Sequence, residues 1–223
     1  MQYICKITVF VLFLTVFALS AQTPPNEEPV CDSKTGKRAQ IGDGDATILG
    51  FTIGRASLKD VEAKLGRATP VRLTREEESD IFVCYVSPAD GTVLAFYSGA
   101  MGGWTDVTHF ALWSREAVPA RYSHCVSSAL VSRNLSTGGG LRVGLTRQEI
   151  ENIAGRPANP AASSTKYEYI CRLKMTAEEI QGFKAANNWD VSNDPYFDRM
   201  SWIAVGYANS VASHIEVGRT DSY

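Results

Sequence analysis

The sequence lacks the short motifs by which most catalytic and nucleotide-binding sites are recognised. It contains no GxSxG, no HExxH, no P-loop and no GxGxxG placed between a strand and a helix. Its one glycine-rich run, residues 136–141, has no lysine and is better explained as a hairpin loop. We therefore predict a protein that is not an enzyme and that uses no cofactor.

Histidine is scarce as well, with three residues in 223, and no CxxC pair is present. These absences give little basis for a zinc site. A two-histidine metal site stays open if His109 and His214 adjoin, and the oxygen-bearing side chains between Asp190 and Asp198 are of the type that binds Ca²⁺. Their spacing differs from that of an EF-hand, and we predict no metal site.

A strong excess of charge is also missing. The chain has 22 Lys and Arg residues against 24 Asp and Glu residues, which gives a formal net charge of -2. Such a balance produces no long-range attraction to nucleic acid or to an anionic membrane surface. We expect neither of these to be a partner of the protein.

A long apolar run occurs only at the N-terminus. Lys6 precedes apolar residues 7–17, and small residues follow them up to Ala21. This pattern indicates a secretory signal peptide over residues 1–21, because the run is too short to span a bilayer comfortably. An uncleaved anchor is the alternative. Residues 22–30 are predicted to be a disordered lead-in, and the mature protein to be secreted or periplasmic without stable membrane insertion.

Cysteine is infrequent, and Cys5 lies within the predicted leader. Four cysteines remain for the mature chain, namely Cys31, Cys84, Cys125 and Cys171. An even number in an exported protein favours disulfides over free thiols or metal ligands. We predict that all four form disulfides.

An internal repeat is the most informative feature that is present. Residues 53–67 (IGRASLKDVEAKLGR) and 143–157 (VGLTRQEIENIAGRP) share one pattern. A hydroxyl residue at the N-cap, an acid three residues later and a glycine at the end predict a short helix of about two to three turns. These residues are Ser57, Asp60 and Gly66 in the first string, and Thr146, Glu149 and Gly155 in the second.

Strand-like segments rich in β-branched and aromatic residues follow each helix. They are residues 81–87, 92–97 and 107–113 after the first helix, and residues 166–173, 201–207 and 212–217 after the second. We predict an α+β fold of two tandem modules, each with a short helical segment packed on one face of an antiparallel sheet. The boundaries are 31–118 and 119–219, with a helical insertion at 175–188 and a tail at 220–223.

The repeat also suggests a disulfide pairing. Cys84 and Cys171 fall within the first strand of their modules, and His109 and His214 fall within the last. If the modules are equivalent, the pairs are Cys31–Cys84 and Cys125–Cys171. The other two connectivities of four cysteines remain open, since sequence alone does not decide between them.

The glycine, hydroxyl, acid and apolar residues of these strings resemble the signature of the SmpA/OmlA-type domain of outer-membrane assembly. Two such modules in tandem, each with a disulfide, are similar to the architecture of the β-lactamase inhibitor protein family. The resemblance covers about residues 50–113 and 140–219, and it implies helices on one side of the sheets and a concave partner-binding face on the other. The sequence departs from the pattern at Gly66-Arg67-Ala68, where Gly-x-Pro is expected, and no lipidation cysteine follows the leader.

Alternation along the strands assigns their two faces. Residues predicted to face the helices are Phe82, Cys84, Leu94, Phe96, Phe110 and Leu112 in the first module, and Tyr169, Cys171, Ile203, Val205, Ile215 and Val217 in the second. The opposite face is rich in aromatic residues, which are frequent in protein-recognition hot spots. The predicted partner-binding residues on it are Tyr85, Tyr97, His109, Trp113, Arg172, Trp202 and His214.

A buried alternative exists for these aromatic side chains. They would then lie under a loop such as residues 98–105, or at the junction of the modules. Our leading hypothesis is an exported, non-enzymatic protein-binding protein that is inhibitor-like or envelope-assembly-like. The alternatives are a small-molecule or cell-wall-binding protein, a degenerate hydrolase, or a structural envelope protein.

Overall fold

One continuous sheet of nine strands organises the molecule. The computed structural model describes residues 30–33, 41–75, 78–157, 161, 163–187 and 190–223. The strand order is β1-β9-β10-β11-β7-β6-β5-β4, and β8 pairs with β5 beside β4. All neighbours are antiparallel except β8 and β5, and β2 and β3 form a separate hairpin. We call β4–β8 the first half of the sheet, and β1 with β9–β11 the second half.

The six predicted strands are confirmed as β5, β6, β7, β9, β10 and β11 with some changes at their ends, and β1–β4 and β8 are additions. The strands are β1 (Val30–Ser33), β2 (Thr47–Ile48), β3 (Phe51–Thr52), β4 (Val71–Arg75), β5 (Glu78–Val86), β6 (Val93–Ser98), β7 (His109–Trp113), β8 (Val126–Ser127), β9 (Ser164–Lys174), β10 (Tyr196–Ala208) and β11 (Val211–Ser222). The residues predicted as a tail, 220–223, belong to β11 as far as Ser222.

Three α-helices of the described residues begin at capping boxes, and the sequence predicts the first two of these boxes from their residues. The helices are α1 (Leu58–Leu65), α2 (Arg147–Ala154) and α3 (Ala177–Asn187). In α1 the Ser57 hydroxyl accepts from the Asp60 amide at 3.2 Å, and the Asp60 carboxylate accepts from the Ser57 amide at 2.9 Å. The same reciprocal bonds start the other two helices. They satisfy backbone amides that an unsupported helix start leaves unpaired.

Helices α1 and α2 are attached to the sheet in the same way. The Gly54 amide donates to the Val107 carbonyl at 2.8 Å, and the Gly144 amide donates to the Ala212 carbonyl at 2.7 Å. At the other ends of these helices, the Tyr85 hydroxyl donates to the carbonyl of Gly66, and the Tyr169 hydroxyl donates to that of Ala154.

A single apolar core lies between the sheet and these two helices. Val61 of α1 and Ile150 of α2 are fully buried, and they belong to one cluster with residues from both halves of the sheet. Burial of such side chains stabilises the fold by roughly 1.5–3 kcal/mol each. Helix α3 joins β9 to β10 and lies within the range 175–188 that the sequence predicts as a helical insertion.

The fold is therefore α+β with mostly antiparallel strands. The predicted signal peptide, 1–21, and the lead-in as far as residue 29 lie outside the described residues, while Val30 begins β1. Within the described part of the chain, no helix has the length and apolar character needed to cross a bilayer.

The predicted disulfide pairing is wrong. Cys31 pairs with Cys171, and Cys84 pairs with Cys125. Cys171 shares the helix-side face of β9 with Tyr169 and lies directly opposite Cys31 in β1. Cys84 faces the other side of the sheet and packs in a different cluster. The two strand cysteines are therefore not equivalent, and this removes the basis of the predicted pairing.

Candidate recognition surface

The sheet face opposite α1 and α2, which we call the open face, carries a row of aromatic side chains across five strands. Successive register partners place Phe82, Tyr97, His109, Gly218 and Trp202 side by side from β5 to β10. The Tyr97 and His109 rings are stacked with centroids 4.1 Å apart, and His109 lies 5.9 Å from Trp202. The row continues across Gly218 because the Trp202 indole occupies the space that a side chain at this position would fill.

A second aromatic group lies four residues away along β7. The Trp113 and His214 rings are stacked with centroids 3.6 Å apart, and these two residues are register partners. Between the two groups lies a row of mostly small side chains: Ala95, Ala111, Glu216 and Ala204. The middle of the open face is therefore formed mostly by short side chains, and aromatic side chains lie on either side of it.

Residues 115–125, which we call the strap, cover the first half of the open face. Tyr122 of the strap is buried, and its ring lies 5.3 Å from Phe82 and 5.9 Å from Trp113. Its hydroxyl forms a short hydrogen bond with that of Tyr97. The Cys84–Cys125 disulfide holds the end of the strap against β5. The expectation of a covering loop is thus correct for this half, although the cover is the strap and not residues 98–105.

The second half of the open face has no such cover among the described residues. Ile170 of β9 and Met200 of β10 are register partners, and each is 43% exposed. Trp202 lies next to them and is half-buried. We call Ile170, Met200 and Trp202 the apolar patch. Charged side chains border it, including Glu168 paired with Lys166 at 2.7 Å.

Burial keeps the two histidines of this surface uncharged near neutral pH. It lowers the pKa of His109 to about 4. Burial also lowers the pKa of His214 to about 4, with a smaller contribution from the positive charge of Arg121. The pKa of Tyr97 is raised, chiefly by burial and then by Tyr122. None of these groups is poised to exchange a proton near pH 7.

The structure separates the seven predicted partner-binding residues into three groups. Tyr97, His109 and Trp113 lie on the open face and are buried or half-buried near the strap. Arg172, Trp202 and His214 lie on its second half, and Arg172 is paired with Asp194 at 3.1 Å. The assignment of Tyr85 to this face is wrong.

Tyr85 instead lies on the helix side of β5, fully buried, and burial raises its pKa to about 12. Val83 is also on that side, whereas Phe82 and Cys84 are on the open face, so the predicted alternation of this strand is reversed. The face assignments for β6 and β7 are confirmed, as are those for β9 to β11.

Sequence reasoning missed the strap and its Tyr122 as part of this surface. The available signal was Cys125, because a disulfide to an open-face cysteine holds Cys125 and its neighbours in the chain close to that face. The reversed assignment of Cys84 concealed this signal. Sequence alternation did place Glu216 on the open face, but it gave no reason to single that residue out.

A second concavity, of about 460 Å³, lies on the helix side and contains neither His109 nor His214. Three arginines line it, and each is paired with a carboxylate. Arg199 bonds Asp221 through two nitrogens at 2.8 Å, and Arg55 and Arg219 both lie 3.0 Å from Asp43. Among the described residues there is no cluster of three or more His, Cys, Asp or Glu that could hold a metal ion.

The chain matches no protein-family model, no curated protein and no solved structure. The geometry of the open face therefore provides the main basis for a functional hypothesis.

Proposed function

We propose that this chain is an exported, non-enzymatic protein-binding protein built from two tandem α+β units, and that it binds its partner through the apolar patch. The strap covers the open face in the first half of the sheet, whereas Ile170 and Met200 are exposed on the same face in the second half. This difference is the observation that carries the proposal. The SmpA/OmlA-like and β-lactamase-inhibitor-like resemblance agrees with it as an expectation.

The tandem arrangement is supported by equivalent strand registers. In the β6–β7 pair, Ala95 is opposite Ala111 and Tyr97 is opposite His109. In the β10–β11 pair, Ala204 is opposite Glu216, and His214 occupies the place of His109 opposite Gly206. Equivalent attachments of α1 and α2 agree with this correspondence. We infer that the two halves of the sheet derive from one repeated unit.

The patch has the composition of a protein interface. Trp and Met are enriched at the centres of interfaces, and polar residues form the rim. Here Trp202 and Met200 lie on β10 and Ile170 lies beside them on β9, with the Lys166–Glu168 pair at the border. The strands fix the backbone of these residues, so that association costs side-chain but little backbone entropy.

Export is supported by the sequence of the leader and by the two disulfides. Disulfides persist in oxidising compartments and are rare in the cytosol. Cys31–Cys171 and Cys84–Cys125 together use all four cysteines of the predicted mature chain.

The proposal is tested by capture of a partner on the immobilised chain from residue 22 onward. Envelope extract and culture fluid of the source cells are compared for wild type and for a double variant, Ile170→Glu with Met200→Glu. Both side chains are exposed, so the variant should keep its fold but place two charges in the patch. Leu130→Glu is the matched control, because Leu130 is 49% exposed and lies in a turn outside the patch.

We expect one protein to be retained by wild type and by Leu130→Glu, and lost from the double variant. Equal retention by all three, with matching urea midpoints, would count against the patch as the binding surface.

The alternative of small-molecule or cell-wall binding draws support from the helix-side cavity. It predicts that soluble cell-wall fragments raise the unfolding temperature, and that Thr108→Trp, which fills the cavity, abolishes the effect.

A further inference from the structure

Glu216 is a carboxylate at the centre of the open face. It lies on β11 between Gly218, over which the Trp202 indole is placed, and His214, which stacks on Trp113. Its side chain is 32% exposed. A half-buried carboxylate between aromatic side chains is expensive to keep charged unless it has partners.

The described residues supply a hydrogen bond to only one of the two carboxylate oxygens of Glu216. The Trp202 Nε1–H donates to Oε1 of Glu216 at 3.1 Å. The other oxygen, Oε2, lies 3.9 Å from Nε2 of His214, beyond hydrogen-bond distance. Since the His214 ring is neutral near pH 7, this contact provides no positive charge.

No described lysine or arginine forms an ion pair with Glu216. The nearby cation on the strap, Arg121, is engaged elsewhere. Its Nη2 donates to the Tyr122 hydroxyl at 3.2 Å, and its guanidinium lies over the Tyr122 ring at 5.0 Å. Lys166, on the other side, is paired with Glu168 at 2.7 Å. Glu216 therefore has no ion-pair partner among the lysines and arginines that the structure describes.

The carboxylate is accessible from one direction. On the β7 side its register partner is Ala111, which is fully buried in the cluster that contains Tyr122. On the β10 side its partner is Ala204, which is only half-buried. A group placed over Ala204 would meet the carboxylate and would lie beside the Trp202 ring.

We propose that Glu216, Trp202 and His214 form the binding site for an arginine side chain of the protein partner. The guanidinium would bond Glu216 and pack against the indole of Trp202. Such a site combines a charge-assisted hydrogen bond with a cation–π contact, the two interactions that favour arginine in interfaces. This inference rests on the proposed function and specifies the chemistry of the partner.

The test uses a defined probe, so that it does not depend on finding the partner. N-acetyl-arginine-methylamide is titrated into the ¹⁵N-labelled chain, and the indole N–H resonance of Trp202 is followed by NMR. The neutral citrulline analogue is the probe control. Glu216→Gln removes the charge but keeps an acceptor for Trp202, and Glu178→Gln, the matched control, removes an exposed carboxylate of α3 outside the patch.

We expect the arginine probe, and not citrulline, to shift the Trp202 indole resonance. Glu216→Gln should weaken this binding about 5- to 10-fold, and Glu178→Gln should leave it unchanged. Equal shifts from both probes, or an unchanged affinity in Glu216→Gln, would overturn the inference.

If a partner is captured through the patch and Glu216→Gln captures it equally well, the inference fails while the proposed function stands. If the probe binds as expected and no partner is captured, the proposed function fails.

Discussion

Adding a single methyl group at Gly218, by the substitution Gly218→Ala, should disrupt the open face of the sheet. A Cβ atom added there would lie 1.9 Å from Cζ2 and 2.2 Å from Cε2 of Trp202. Non-bonded carbon atoms do not approach so closely, so in Gly218→Ala the indole must leave its place over β11. The change then removes the hydrogen bond from Trp202 to Glu216 and the ring contact of Trp202 with His109.

We expect Gly218→Ala to lower the free energy of unfolding by about 1–2 kcal/mol. Overpacking of a fitted site costs typically ~1–3 kcal/mol, and the half-buried ring of Trp202 can relieve part of this by swinging outward. The matched control is Gly206→Ala on the neighbouring strand. A Cβ at Gly206 would lie 3.4 Å from the Cβ of His214, an ordinary contact, so this change should be neutral or slightly stabilising.

Urea unfolding at 25 °C measures the free energies, and the Trp202 indole N–H resonance reports the ring position. A double-mutant cycle with Trp202→Ala isolates the cause. Once the indole is absent, Gly218→Ala should cost less than about 0.5 kcal/mol. The same cost in both backgrounds, or an unmoved indole resonance in Gly218→Ala, would refute the explanation by steric exclusion.

Three further predictions concern stability. Removing the Cys84–Cys125 bridge by a double alanine substitution should lower the free energy of unfolding by about 3–4 kcal/mol in the chain-entropy model, measured by urea melts. Tyr85→Phe should cost about 1 kcal/mol and leave partner capture unchanged, because its hydroxyl bonds a helix end on the far side of the sheet. Acidification should destabilise the fold. The pKa values of His109 and His214 are depressed to about 4, so below about pH 6.5 the unfolded chain binds more protons than the folded one. Replacing His214 by Leu should flatten the fall in urea midpoint between pH 7 and pH 4.5.

Local signals in the sequence predicted the helices well. The cap at Ser57, the cap at Thr146 and the start of α3 all depend on residues that lie within three positions of one another. Hydroxyl-to-amide bonds of this kind form without any tertiary contact, so sequence spacing is sufficient to find them. The α+β class follows from the same helices together with the strand-forming segments.

The face assignment of β5 could not be read in the same way. From Ile81 to Val86 every residue is apolar, so alternation supplies no contrast between the two faces. Both faces are in fact covered, by helix α1 on one side and by the strap on the other. In β9, exposed charged residues alternate with buried aromatic ones, as at Glu168 and Tyr169, and the assignment was correct there.

The disulfide pairing failed for a related reason. Equivalence between Cys84 and Cys171 was inferred from their place along a strand, but strand side chains alternate between faces at every residue. Cys84 is opposite Ala95 in β6, and the corresponding place in the second half is Lys166, opposite Ala204. A repeat in sequence thus located the strands without fixing their register.

The residue at one pair of corresponding positions explains why the strap covers only the first half of the open face. At corresponding places on the last strand of each half stand Ala111 and Glu216. Tyr122 packs in the same buried cluster as the alanine, which is fully buried. The same aromatic cover over Glu216 would strip water from a carboxylate that has no ion-pair partner among the described residues, at a penalty of several kcal/mol. An internal strap of that kind is therefore incompatible with the second half. A group that closes this site favourably must supply hydrogen-bond donors or a positive charge to Glu216, and the arginine proposed for the partner would supply both.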